Sequence, residues 1–312
     1  MEHLKFEFPG LRIGCAEYEN GPTGCTVFAF DEPALAALDV RGGAAAVRES
    51  TCIDEMNAEG VLDALVLAGG STYGLEAASG VAAEIFKQRQ GDVSFAKIPV
   101  VPAAIVYDFR ERQSNVWPDR ELGARAFLAA RAGGIAIGRV GAGRNVSVGK
   151  IFGSTRAEWA GQGAAFLQID GVRLLAVTAV NAIGNVINEH GEVLAGSRDP
   201  ATGKRWDASQ AVLESGSLAA GAMPNKGNTT ISALITDAAL DRLALKRLAV
   251  MAHTAMSRAI DPFHAPTDGD VLFAVSTAAA PLPEGFALSR LGMVAGRLMQ
   301  DAVRSSLGGH RA

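Results

Sequence analysis

Cysteines, aromatic rings and long apolar runs are all scarce in this chain, and no excess of basic charge compensates for them. Three cysteines stand among 312 residues, and aromatics make up 6%. Cys15, Cys25 and Cys52 are odd in number and form no CxxC, which argues against a disulfide framework and a thiolate zinc site. They are expected as small buried thiols in a reducing compartment. No stretch of about 18 apolar residues occurs, so no membrane span is expected. The start, MEHLKFEFPGLRIG, alternates charge with apolar residues and lacks the apolar core of a signal peptide. A cytoplasmic location is the expectation. The formal net charge of -4 leaves no basic face to displace counterions, which argues against a nucleic-acid partner.

What is present suits a large core. The chain is 48% hydrophobic and 20% charged, too apolar for a disordered segment. A chain of this length buries about 75% of the surface its unfolded form exposes. Glycine is frequent without a G-X-Y period, and heptads are absent, so collagen and coiled coil are excluded.

Apolar strand-like runs alternate with amphipathic stretches, which predicts an α/β fold. Residues 5–30 read as short strands around the turn Gly21 to Gly24. Val61 to Leu67 is a continuous apolar run, as in a strand covered on both faces. After Gly69-Gly70 the spacing becomes helical, with Leu75, Ala78, Val81, Ala82 and Ile85 on one stripe. Ile98 to Tyr107 is strand-like, 119–132 is a helix stopped by Gly133-Gly134, and 172–187 is strand-like again. Residues 196–228 are rich in Gly, Ser, Pro and Ala. They read as a linker with a short helix near 208–214. A strand follows at 229–235, then a helix over 237–260 with Leu240, Leu243, Leu248 and Met251 inward. A strand over 271–276 and a helix over 287–307 complete the chain.

Several motifs resemble familiar ones and fail on spacing. GRNVSVGK, Gly143 to Lys150, places five residues between its glycines where a phosphate loop needs four, and Ile151 replaces the magnesium-binding hydroxyl. Ser71 in GGSTYG lacks the spacing of a nucleophile elbow. His253 and His264 fit no metal-ligand spacing, and His253, within a helix, reads as a packed or capping histidine. Lys150 nevertheless lies in an apolar, Gly-rich neighbourhood, where an amine's charge energetics are altered. At Asn228-Thr229-Thr230 the linker ends and a buried strand begins. A threonine hydroxyl is a weak nucleophile unless a base stands beside it, and cleavage before Thr229 would supply its own α-amine as that base. The amine titrates near pH 8, so part of it is unprotonated at neutral pH (about 7.7–8.0 in model peptides). Asp268-Gly269-Asp270 precedes a strand and reads either as a solvated turn or as two carboxylates orienting an ammonium and a hydroxyl. Asn181 offers an amide to an oxyanion, or serves as a turn cap. Tyr107 closes an apolar run.

Taken together these segments resemble a known family. GNTTISALITDAAL and LAVMAHTAMSRAIDPFHAPTDGDVLFAVST are similar to segments of the self-processing aminopeptidase and amidase family that includes L-aminopeptidase D-esterase and the β-peptidyl aminopeptidases. FEFPGLRIGCAEYENGPTGCTV, LAGGSTYGLEAASGV, IVYDF and GAGRNVSVGK add to it. The likeness runs from about residue 5 to 305 and is weakest over 197–226. Within the family, FEFPGLRIG, EYENGPTG, GQGAAF, GNTTISA and DGDVLFAV resemble the nylon hydrolase branch, which cleaves 6-aminohexanoate oligomers.

The resemblance implies a single four-layer αββα sandwich of the N-terminal-nucleophile hydrolase (Ntn) type. It implies self-cleavage between Asn228 and Thr229 into fragments 1–228 and 229–312 that stay associated, with 197–228 a mobile linker. Thr229 would be the nucleophile, where the peptidase branch often has Ser. Lys150 would ease deprotonation of its hydroxyl, Asn181 and Tyr107 would stabilise the oxyanion, and Asp268 and Asp270 would position the Thr229 amine and hydroxyl. The peptidase branch has Ser and Glu at these last two places. The substrate would be a linear amide oligomer or, alternatively, a short peptide, including D- or β-residue peptides. No cofactor or metal is implied, and a homotetramer of cleaved units is. Ornithine acetyltransferases also self-cleave before Thr, but at a segment unlike GNTTIS. A non-catalytic protein of this fold would remain one intact chain.

Overall fold

One strand, Thr23–Val40, links both halves of this computed structural model, which describes residues 2–308 except Glu55, Ala58, Glu111, Gln113 and 218–226. Its first half alternates. Cys25, Val27 and Ala29 join a buried cluster with Ala77, Ala78 and Val81 of helix Glu76–Gln88 and Leu122 of helix Arg120–Leu128. Phe28 and Phe30 belong to a second cluster, with Leu65 and Leu67 of strand Val61–Ala68 and with Val177, Ile231 and Phe273. This is the period of two that a strand between two apolar layers requires. Register with Val61–Ala68 shifts between Ala29 and Ala34, where Asp31, Glu32 and Pro33 are exposed. A break in the ladder is where an imino acid without an N–H fits, and where a strand bends from one layer toward the next. Beyond it, Leu38 O accepts from Lys246 Nζ and Asp39 pairs with His253, both on helix Arg242–Ala255.

Nine strands hydrogen-bond into one network. The order is Gln162–Ile169, Val172–Asn181, Thr229–Ala238, Val271–Ala280, Thr23–Val40, Val61–Ala68, Ala103–Ile105 and Val47–Arg48, with Leu11–Tyr18 added beside Thr23–Val40. Helices Arg242–Ala255 and Leu288–Ser305 bury Leu245, Leu248, Leu291 and Leu298 on the side away from the first helix pair. The layering is helix, sheet, sheet, helix, as expected. The two sheets are joined through Thr23–Val40 instead of standing apart.

Thr229–Ala238 is buried at every position and is paired on both sides. It leads through helix Arg242–Ala255 to the parallel strand Val271–Ala280, a crossover unit. Several expectations are corrected here. The strand continues to Ala238, and the helix starts only at Arg242, because the Asp241 side chain caps it by accepting from Ala244 N. That start sets the inward stripe at Leu245, Leu248, Ala249 and Ala252, leaving Leu243 74% exposed. Of 98–107 only Ala103–Ile105 pairs as a strand. Cys25 alone is buried, while Cys15 and Cys52 are partly exposed. Residues 197–217 hold more order than their composition suggests. Asp199 accepts from Ala201 N and Thr202 N in a turn, and Asp207 caps helix Ala208–Ser215. Residues 218–226 of the expected linker lie outside the described residues. Among the described residues no helix is long and apolar enough to cross a membrane.

Candidate active site

Topology brings the candidate residues to one edge. Thr229–Ala238 and Val271–Ala280 are parallel, so both begin at the same end of the sheet, and Asn228 forms a bridge to Asp268 there. Val172–Asn181 runs antiparallel to Thr229–Ala238, so its last residue, Asn181, stands opposite Thr229. The start of one strand, the end of its neighbour and the loop before a third therefore converge.

Lys150 is 1% exposed. Its backbone is tied to the segment after Asn181, with Lys150 N donating to Ile183 O at 2.8 Å and Gly149 N to Gly184 O at 2.7 Å. Its Nζ donates to Asn181 O at 2.9 Å and to Asn181 Oδ1 at 2.7 Å. A buried lysine nitrogen needs such oxygen partners to offset its lost hydration. Asn181 Oδ1 also accepts from Ser147 N, and its Nδ2 donates to Tyr107 O at 2.9 Å and Gly227 O at 3.3 Å. Asn181 thus links the lysine, the tyrosine backbone and the chain just upstream of Thr229. The Tyr107 ring lies against Gly227. A Cβ on Gly227 would meet Tyr107 Cδ1 at 2.6 Å, and its φ of +90° favours glycine as well.

The two aspartates hold different partners. Asp268 Oδ1 accepts from Ile183 N and Oδ2 from Ala265 N, both at 3.3 Å. Burial, and then the nearby Asp270 charge, push the Asp268 carboxyl up to about 7, against the pull of those N–H groups and of Lys150. Asp270 Oδ1 accepts from Thr230 N at 2.8 Å, and Oδ2 accepts from His264 N at 3.1 Å and faces His264 Nδ1 at 3.0 Å.

Thr229 is buried, and its hydroxyl donates to the carbonyl oxygen of Asn228, the residue before it. The same carbonyl accepts from Gly269 N at 2.9 Å. Nucleophile-type hydroxyl, carbonyl and N–H donor therefore meet at one peptide bond. Gly269 has no room for a side chain, since a Cβ would lie 2.8 Å from Thr229 Oγ1 and 2.9 Å from Ala44 O. Tyr107, Lys150, Asn181, Asn228, Thr229, Asp268 and Asp270 all fall within this network. The sequence reading gave Gly269, Gly227 and His264 no role in this site. The glycine inside DGD was a signal for close backbone approach. Nothing in the spacing of His264 to Asp270 indicated their contact.

The profile of peptidase family S58 matches residues 7–308. The chain belongs to this family. It is 38% identical over 315 residues to the 6-aminohexanoate-oligomer endohydrolase of Paenarthrobacter ureafaciens, covering 97% of this chain and 85% of that protein. It is 36% identical over 275 residues to a protein of Mycobacterium bovis named an uncharacterized aminopeptidase, covering 83% and 75%. The solved L-aminopeptidase D-Ala-esterase/amidase of Ochrobactrum anthropi, described as a variant of the Ntn hydrolase fold, superposes with a TM-score of 0.70 at 16% identity, covering 100% and 90%. This S58 protein is therefore an Ntn-fold hydrolase acting on amides, and the edge described above is its candidate catalytic centre.

Proposed function

We propose that this S58 hydrolase is a self-processing enzyme whose Thr229 becomes an N-terminal nucleophile and then cleaves linear amide oligomers such as those of 6-aminohexanoate. The observation that carries the reading is the Thr229 hydroxyl set on the Asn228 carbonyl, with Gly269 N–H on the same oxygen. In this reading Thr229 Oγ attacks the Asn228 carbonyl carbon, Gly269 N–H holds the developing oxyanion, and the peptide C–N bond breaks to give an ester. Water hydrolyses the ester, leaving Asn228 as a carboxylate and Thr229 with a free α-amine. Lys150, acting as a neutral amine in its dry pocket, takes up the hydroxyl proton and returns it to the departing Thr229 nitrogen.

The second round uses the same atoms. The Thr229 hydroxyl attacks the substrate amide, its own amine passes the proton to the leaving amine, and water releases the acyl group. Asn181 Nδ2 donates to Gly227 O before cleavage; departure of that segment frees the donor for the substrate oxyanion. Thr229–Ala238 is buried and paired on both sides, which supports fragments 1–228 and 229–312 forming one domain that stays associated after cleavage. Assembly into a homotetramer of cleaved units is part of the same proposal. The 6-aminohexanoate relative supports oligoamide substrates. The mycobacterial relative supports a second reading, exo action on short peptides.

Intact mass spectrometry of the purified protein tests the processing step. Two fragments meeting at Asn228 and Thr229 are expected; a single active chain overturns it. A fragment 1–228 lighter by one water would point to Asn228 cyclisation instead. Product analysis on 6-aminohexanoate oligomers with free or capped amines separates the substrate readings. Internal cleavage of the capped oligomer is expected, whereas strict dependence on the free amine favours the peptidase.

A further inference from the structure

We propose that His264 is a positioning residue, which through Asp270 fixes the backbone that carries Thr229. The inference rests on the reading of Thr229 as nucleophile. Asp270 Oδ1 accepts from Thr230 N at 2.8 Å, so this carboxylate holds the peptide directly after Thr229. Its other oxygen is held twice by one residue, from His264 N at 3.1 Å and His264 Nδ1 at 3.0 Å. An ionised carboxylate only accepts, so Nδ1 carries the proton. A carboxylate with one oxygen clamped from two directions cannot rotate away from Thr230 without breaking both bonds.

Two further observations point the same way. His264 has φ +61°, in the left-handed region that few non-glycine residues adopt, histidine being with asparagine and aspartate among the more frequent there. That conformation lets the backbone N–H and the ring of one residue reach the same oxygen, and strain of this kind persists where surrounding contacts over-determine it. The ring itself is fixed on both sides. It stacks on Phe263 at 3.9 Å between centroids and meets the edge-on ring of His253 at 4.5 Å. His253 is buried and anchored by Asp39 at 2.9 Å. A rigid path thus runs from Asp39 through the two imidazoles to Asp270 and Thr230.

Three substitutions separate the ways His264 can act. His264→Asn keeps an amide donor near the Nδ1 position and tolerates left-handed backbone. His264→Gly tolerates the backbone but keeps only its N–H and has no side-chain donor. His264→Phe keeps a ring and has no side-chain donor. Two readouts are taken on folded protein: kcat and KM for oligoamide hydrolysis, and hydrogen exchange of the Thr230 amide. The expectation is that Asn keeps kcat within a few-fold, while Gly and Phe lose about 100-fold in kcat with little change in KM, as a displaced nucleophile would. Thr230 exchange should quicken in Gly and Phe and not in Asn. Retained activity in Phe or in Gly, or equal loss in all three, overturns the proposal. The exchange pattern reads the clamp without reference to the nucleophile. If it holds while Thr229→Ala stays active, the reading of Thr229 fails and the clamp stands.

Discussion

Asn181 and Thr229 stand opposite one another across an antiparallel pair, and the Asn181 amide reaches past Thr229 to the Gly227 carbonyl at 3.3 Å. In the proposed mechanism, the donor assigned to the substrate oxyanion is thus occupied by the chain that self-cleavage would release. Asn181→Asp separates its two duties. The carboxylate still accepts from Lys150 but cannot donate. On processed enzyme kcat should fall about 100- to 1,000-fold with KM little changed. Steady-state kinetics check this; an unchanged kcat would remove Asn181 from the oxyanion site.

Thr229 is tested by two replacements that differ in one hydroxyl. Thr229→Ala should remain a single full-length chain without amidase activity, while Thr229→Ser should still divide before residue 229. A denaturing gel with intact mass spectrometry reads both. Cleavage of the alanine variant at the same bond would transfer the chemistry to another group.

Lys150 serves either as proton acceptor or as packing. Lys150→Met fills the same buried volume without an amine. As a lost proton-transfer group it should slow both processing and turnover by about 100-fold or more, with the fold retained. Circular dichroism and the time course of fragment appearance are the measurements. Normal turnover would leave Lys150 a structural residue held by Asn181.

The fold class was legible because apolar runs such as Val61–Leu67 and 229–235 are unmistakable, and because stretches of helical spacing alternate with them. Element ends were less so. Leu243 fits a helical stripe by spacing, but the Asp241 cap sets the helix phase and turns Leu243 outward. A cap is local chemistry that competes with periodicity. At the site, the residues named from segment likeness, Thr229, Lys150, Asn181 and the two aspartates, all meet. The contributions of Gly269 and His264 were hidden because they depend on backbone geometry: an N–H aimed at a carbonyl, and a left-handed loop that folds a ring back on Asp270. Residue identity does not record such directions.

Asp268 makes the site sensitive to pH through stability as well as through chemistry. Its carboxyl is pushed from 3.8 up to about 7 by burial and by Asp270. Between those two pH values the folded chain holds a proton that the unfolded chain has released, so stability falls as pH rises through this window and the loss is complete above about 7. His253, whose proton affinity is lowered by burial, acts in the opposite sense: its contribution is present above 6.5 and is lost as pH falls. Comparing Asp268→Asn with its parent cancels that term, and a Thr229→Ala background holds both chains in one covalent state. Melting temperatures taken from pH 4 to 8 should then show the parent losing ground steadily to the Asn variant as pH rises, because the amide has no proton to lose. Parallel curves would mean that Asp268 is ionised across the whole range, with Lys150 and its N–H donors outweighing burial and the Asp270 charge.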